Sequence, residues 1–209
     1  MVIALCLVIA YLLGSLPFGY VMSLRNGMDI RKVGDHNVGA FNVFRHAGLE
    51  AGLITLVLDM GKGATAILVA RLLHVDEPVI YLSGIMAVVG HNWPVFLGFH
   101  GGRGEATVIG VLFVMLPWMT AITFLLGIIV LFTTKKSIWT SMALFIPLPV
   151  IGLISYYLRE YPPLVTTGYS VLLPCISGFT HWLSTRKLPP DTKREAGTFW
   201  IAGTGNHRK

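Results

Sequence analysis

Ala106–Thr134 reads ATVIGVLFVMLPWMTAITFLLGIIVLFTT, a run of 29 residues without a charge, with Pro117 inside it. Read as one helix or two, this run decides which side of a membrane every later loop faces. As one helix, it gives six crossings and puts the connection 25–50 opposite Lys135, Lys136 and the basic C-terminal segment. Basic residues concentrate in cytoplasmic loops, so that arrangement is disfavoured. Pro117 offers the division, because proline removes a backbone donor and clashes with the preceding turn. The run then predicts a short helix, Ala106–Leu116, followed by a longer one, Pro117–Thr133. Thirteen of the 16 Lys and Arg residues fall on one side in this reading. At about 1.5 Å per residue the short helix cannot cross alone. It is expected as a half-span whose ends are buried in protein.

The remaining apolar runs are Met1–Leu24, Ala51–Ala70, Pro78–Phe99, Ser137–Leu158 and Pro162–Leu183. Each approaches the roughly 20 residues a membrane crossing needs. Hydrophobic residues make up 54% of the 209-residue chain and charged residues 12%, with mean hydropathy +0.70. No soluble core of this length could hide so much apolar surface. The first run lacks the basic start and small-residue cleavage site of a secretion signal, so it is read as a span. The expected fold is an all-α polytopic membrane bundle of about seven segments, one of them the half-span. A single membrane-embedded domain covers 1–183 and a basic, solvated cytoplasmic tail covers 184–209. The N-terminus and the turns holding Asp76-Glu77 and Arg159-Glu160 are expected outside. Cys6 and Cys175 lie in apolar runs far from any pairing motif.

Candidate chemistry gathers on the side assigned to the cytoplasm. In the first connection, Gly34 and Gly39 let the backbone approach a ligand. Asn37 and Asn42 add amide donors, and Arg45 adds a planar fork suited to phosphate. The same loop could instead bind anionic headgroups. Gly101, Gly102, Arg103 and Gly104 directly precede the short helix, where backbone N–H groups and the helix dipole favour an anion. A flexible turn is the plainer reading. His91 lies within a span, where ionisable groups mark function or satisfy a helix–helix hydrogen bond. Asp59 and Lys62, three apart on one helix face, are expected to pair. Ser141 lies one turn beyond Ser137 and either reaches the site or bonds its own backbone. The histidines show no metal-like spacing. A nucleophile elbow, a His-Glu-x-x-His pair and a Walker loop are all missing. The remaining set suits catalysis by positioning and charge neutralisation.

Read in order, Gly14-Ser15-Leu16-Pro17-Phe18-Gly19-Tyr20, Asp29-Ile30-Arg31-Lys32-Val33-Gly34, Asn37-Val38-Gly39-Ala40, Asn42 and Arg45 form a pattern. Leu58-Asp59 with Lys62-Gly63, Gly90-His91-Asn92-Trp93-Pro94 and the Gly101–Gly104 loop continue it. The pattern resembles the acyl-phosphate:glycerol-3-phosphate acyltransferase family, the PlsY type of bacterial membranes, over about two thirds of the chain. The resemblance implies a seven-span enzyme of the bacterial cytoplasmic membrane. Its reaction passes a fatty acyl group from acyl phosphate to the 1-hydroxyl of glycerol 3-phosphate, forming lysophosphatidic acid. By position, Asn37, Asn42, Arg45, Arg103 and Ser141 would hold phosphates, and His91 would support the site. His181 resembles the histidine of the family's C-terminal motif. Acyl phosphate, glycerol 3-phosphate and membrane lipids are the implied partners; no metal, coenzyme A or nucleic acid is implied.

The chain departs from the family pattern at several points. Asp35-His36 stands where the family has Ser-Gly, Phe41 replaces a threonine, Arg103 a lysine and Glu105 a small apolar residue. The closing motif reads His181-Trp182-Leu183-Ser184-Thr185 and lacks the family's asparagine. An acid beside a bound anion costs affinity unless a cation neutralises it, by about 1 kcal/mol or more at short range. Asp35 or His36 could equally bind a different hydroxyl acceptor or act as a base. A lipid-binding or transport protein without chemistry is the remaining alternative.

Overall fold

The computed structural model describes residues 1–159, 162–186, 188–196 and 198. Among these residues regular structure is helical throughout, apart from one isolated bridge between Lys136 and Thr198. Helix α1 (Val2–Ser15) breaks at Leu16-Pro17 and resumes as α2 (Phe18–Arg25). A 3-10 turn at Ile30–Lys32 leads to α3 (Ala40–Ala47). There follow α4 (Leu49–Leu72), α5 (Glu77–Asn92) and a 3-10 turn at Val95–Leu97. The chain continues through α6 (Glu105–Met115), α7 (Pro117–Thr134), α8 (Ser137–Phe145) and α9 (Pro147–Arg159). It closes with α10 (Leu164–Thr185) and α11 (Pro190–Ala196).

Among the described residues, five helical stretches are long and apolar enough to cross a membrane: Val2–Arg25, Leu49–Leu72, Glu77–Leu97, Pro117–Thr134 and Ser137–Leu158. Helix α10, at 22 residues, has crossing length but carries more Ser, Thr and Gly. The long apolar run does divide at Pro117. Leu116 leaves the helical region (φ −136°, ψ 62°) and α7 starts on the proline. Helix α6 has 11 residues, which makes it roughly 16 Å long at 1.5 Å per residue.

Small residues let the helices that carry the site approach closely. At Gly14 and Gly90, α1 and α5 meet backbone to backbone. At Gly63 and Gly110, α4 and α6 do the same, and a Cβ on Gly110 would lie inside the Met60 carbonyl. In lipid, where apolar burial gives no net drive, such packing holds helices together. The main core lies beyond this contact, built from Ile67, Val88, Val108, Val111, Leu112 and Leu173. Helix α6 is therefore walled by α4, α5 and α10, which fix the position of its N-terminus.

The first connection differs from the expected open loop, because α3 folds within it. Helix α3 buries Ala40, Val43 and Phe44 on one face, while Asn42 and Arg45 turn inward beside them. The described part of the C-terminal segment contains α11, and Thr198 bridges Lys136.

Candidate active site

Asp35 is the centre of the polar cluster. One carboxylate oxygen, Oδ2, meets Arg103 Nη2 at 2.9 Å and Arg45 Nη2 at 3.3 Å. The other, Oδ1, accepts the backbone N–H of Asn37 at 3.4 Å. All three charged side chains are buried, Arg45 to 1% exposure. They come from three separate places in the chain: the loop before α3, α3 itself and the loop before α6. A lone buried carboxylate would be very costly; two guanidiniums compensate it and leave the cluster with a net positive charge.

Each arginine is oriented by further partners. Arg45 donates to the Thr198 carbonyl (3.2 Å) and to Asn42 Oδ1 (3.4 Å). Arg103 Nε donates to Ser184 Oγ at 3.1 Å. The Arg103 carbonyl accepts from Ser177 Oγ (2.7 Å) and Thr180 Oγ1 (3.1 Å). Asn42 spends its amide on the loop itself, donating to the carbonyls of Asn37, Val33 and Ile30. It thus shapes the connection and braces Arg45.

The glycine loop sits on the end of α5. Gly101 N–H donates to the Asn92 carbonyl and Gly102 N–H to the His91 carbonyl, at 3.2 and 3.0 Å. Any side chain at Gly102 would enter the His91 imidazole, so glycine is required there by close approach. Below the loop lies a second buried ionic group. Lys62 Nζ meets Asp59 Oδ1 at 2.8 Å, as the i,i+3 spacing predicts, and His91 Nδ1 lies 3.6 Å from the same oxygen. Lys62 also donates to the Leu16 carbonyl at 2.9 Å, at the break between α1 and α2, where Phe18 N–H is its other donor. His91 therefore links this ion pair to the loop bearing Arg103.

Two cavities approach the cluster from different sides. A groove of about 280 Å³ runs between α3, α4, α6, α7 and α8. Leu56, Ile109 and Phe124 line its body, and Asn37, Arg103, Glu105, Ser141 and His181 form its polar head. Ser141 Oγ donates to Glu105 Oε2 or to the Ser137 carbonyl, both at 3.1 Å. A second basin of about 570 Å³ is bordered by Arg31, Lys32, His36, His100, Gly101 and Gly102, with Trp93, Leu97 and Phe99 among its apolar walls. There Arg31 binds Asp29 bidentately at 2.9 and 2.8 Å, and holds its carboxyl below the usual range. The Gly102–Arg103 segment separates basin from groove.

The structure gathers Asn37, Asn42, Arg45, Gly101, Gly102, Arg103, Gly104, Ser141, His181 and Asp35 around this one region, with His91 beneath it. Ser177, Thr180, Ser184 and Thr198 were missed in the sequence. Only tertiary contact makes them partners of the arginines; Ser184 alone carries a local signal, standing where the closing motif of the family has its asparagine.

The pattern of the family described as Glycerol-3-phosphate acyltransferase matches residues 4–188. The chain is 40% identical over 184 residues to Glycerol-3-phosphate acyltransferase 4 of Dehalococcoides mccartyi, covering 88% of this chain and 97% of that one. It is 35% identical over 196 residues to Glycerol-3-phosphate acyltransferase of Thermotoga petrophila, covering 92% and 95%. In three dimensions it resembles the crystal structure of PlsY (YgiH), an integral membrane glycerol 3-phosphate acyltransferase, in its glycerol 3-phosphate form. The TM-score is 0.75 at 31% identity, covering 95% of this chain and 96% of that one. The lysophosphatidic acid form of the same protein gives a TM-score of 0.72 at 30% identity, covering 92% and 93%.

Proposed function

Because the chain belongs to the glycerol-3-phosphate acyltransferase family, we propose that it makes lysophosphatidic acid for membrane phospholipid synthesis by acylating the 1-hydroxyl of glycerol 3-phosphate from acyl phosphate. The observation that carries this reading is the meeting of an apolar groove and a basic basin at the Arg103 segment. The groove suits a fatty chain, and its polar head suits the acyl phosphate group. Arg31, Lys32, His36 and His100 around the basin suit a water-soluble phosphorylated acceptor.

The donor is already activated, so the protein's task is alignment and charge stabilisation. The 1-hydroxyl oxygen attacks the acyl carbon and the bond from that carbon to the phosphate oxygen breaks. The departing phosphate takes the hydroxyl proton. Arg103 stabilises negative charge on that phosphate, with Asn37 and the Gly101–Gly104 backbone shaping its seat. His181 and Ser141, at the head of the groove, orient the reacting oxygens. Asp35 and Asn42 act through Arg45 and Arg103, and His91 acts through Gly102. The pairing of Asp35 with both guanidiniums supports the family reaction over a redirected one, since the added acid is electrically compensated.

Counting α6 as the half-span and α10 as a crossing gives seven membrane segments. The connection 25–50, Arg103 and Lys135-Lys136 then face the cytoplasm of a bacterial inner membrane. The decisive experiment uses protein purified in detergent with palmitoyl phosphate and glycerol 3-phosphate, beside glycerol and other polyols. Lysophosphatidic acid is the expected product. Acyl transfer to another acceptor, or no turnover in well-folded protein, would overturn the reading.

A further inference from the structure

Asp35 occupies the face that a phosphate would need. Its Oδ2 is shared by Arg45 and Arg103 at 3.3 and 2.9 Å, which is how a phosphate oxygen would sit between two guanidiniums. Arg45 is closed in behind it, buried to 1% exposure, and is absent from the lining of both cavities while Arg103 lines the groove. In this arrangement an incoming phosphate reaches Arg103 first and gains Arg45 only by displacing the carboxylate. The family pattern that the chain resembles has an uncharged serine at this position. Here, then, the arginine pair carries an internal anion.

We propose that Asp35 is a built-in competitor for the phosphate group, which weakens phosphate binding at the arginine pair and speeds departure of the phosphate product. The inference rests on the reading of this site as an acyl phosphate site. Asp35 is a positioning and specificity-setting residue: it touches the arginines rather than the reacting atoms. Its carboxylate lowers affinity for phosphate-bearing substrate and phosphate product alike. Inorganic phosphate, generated at each turnover, is the ligand whose binding reports it most directly. A purely architectural role, in which Asp35 only holds the two arginines in place, predicts the opposite sign. Removing it would then loosen the arginines and weaken phosphate binding.

The test is inhibition of lysophosphatidic acid formation by inorganic phosphate, compared between the native enzyme, Asp35→Asn and Asp35→Ser. The inhibition constant should fall about tenfold or more when the carboxylate charge is removed at this short range. KM for acyl phosphate should fall with it, and kcat should fall if phosphate departure limits turnover. Protection of each protein against heat inactivation by inorganic phosphate alone supplies a readout that needs no turnover. If native protein makes no lysophosphatidic acid, the acyltransferase reading fails, and the heat-protection series still reports on Asp35. An unchanged or raised inhibition constant in a monodisperse variant overturns the proposal. So does loss of the folded protein in both neutral variants, which would make Asp35 architectural.

Discussion

Arg103 is the charged side chain that lines the groove and pairs with Asp35 at once. Arg103→Ala is expected to lower kcat/KM for lysophosphatidic acid formation by about 10²–10³-fold, the usual cost of removing one preorganised donor to a developing anion. Steady-state kinetics on folded protein check this. The Asp59–Lys62 pair supports a stability prediction. Asp59→Ala or Lys62→Ala leaves an uncompensated buried charge and should cost about 3–5 kcal/mol, whereas Asp59→Leu with Lys62→Met should recover most of that loss. Thermal denaturation of the three variants in one detergent decides it. His36 adopts a left-handed backbone (φ 59°), a conformation that suits the glycine of the family pattern better than a branched side chain. Its ring Nδ1–H donates to the Arg31 carbonyl at 3.0 Å, which offsets part of the strain. His36→Gly should therefore fold at least as well as the native chain, within about 1 kcal/mol by thermal melting. At this scale the sequence was informative where partners are close in the chain. Asp59 and Lys62 are one helical turn apart, so their pairing could be read directly. That Arg45 and Arg103 share one carboxylate could not, because the three residues meet only after α3, α5 and α6 have packed.

Helix α6 is short because Pro117 and the Gly104–Glu105 start bound it, and both limits are visible in the sequence. What holds it in place is the approach of Gly110 to Met60 and of Gly63 to Thr107. Gly110→Ala puts a Cβ into a backbone carbonyl and must push the helices apart. A loss of about 1–3 kcal/mol is expected, the range for overpacking. Activity should fall with it, since Arg103 is carried on the first turn's approach. A variant that melts like the native protein and keeps full turnover would show that this contact does not set the site. Helix α3 was the element least legible in advance. Its eight residues, AFNVFRHA, are too few to give a clear periodic signal, and its polar Asn42 and Arg45 sit on the buried side. They are satisfied there by loop carbonyls and by Asp35, an inversion that only tertiary partners permit.

For the whole molecule, composition sufficed for an all-helical membrane protein. The charge distribution carries a prediction of orientation. Single cysteines at Asp76 and Lys135, in a background lacking Cys6 and Cys175, should react with a membrane-impermeant reagent from opposite faces. Lys135→Cys should label only from the cytoplasmic side, and labelling from the outside in intact cells would invert the topology. In the C-terminal segment, expected as a basic, solvated tail, Thr198 meets Arg45 and Lys136, a long-range contact that no local pattern announces. The apolar groove has a consequence for traffic. Its rim residues Leu49, Leu53, Ile128 and Phe132 are themselves exposed on the helix bundle's apolar outside, so the groove is open sideways. A fatty chain of 16 carbons drawn into water would cost on the order of 12 kcal/mol, at about 0.8 kcal/mol per methylene. A lateral opening would spare a chain seated in the groove that cost, since it could enter and leave between protein and bilayer without meeting water.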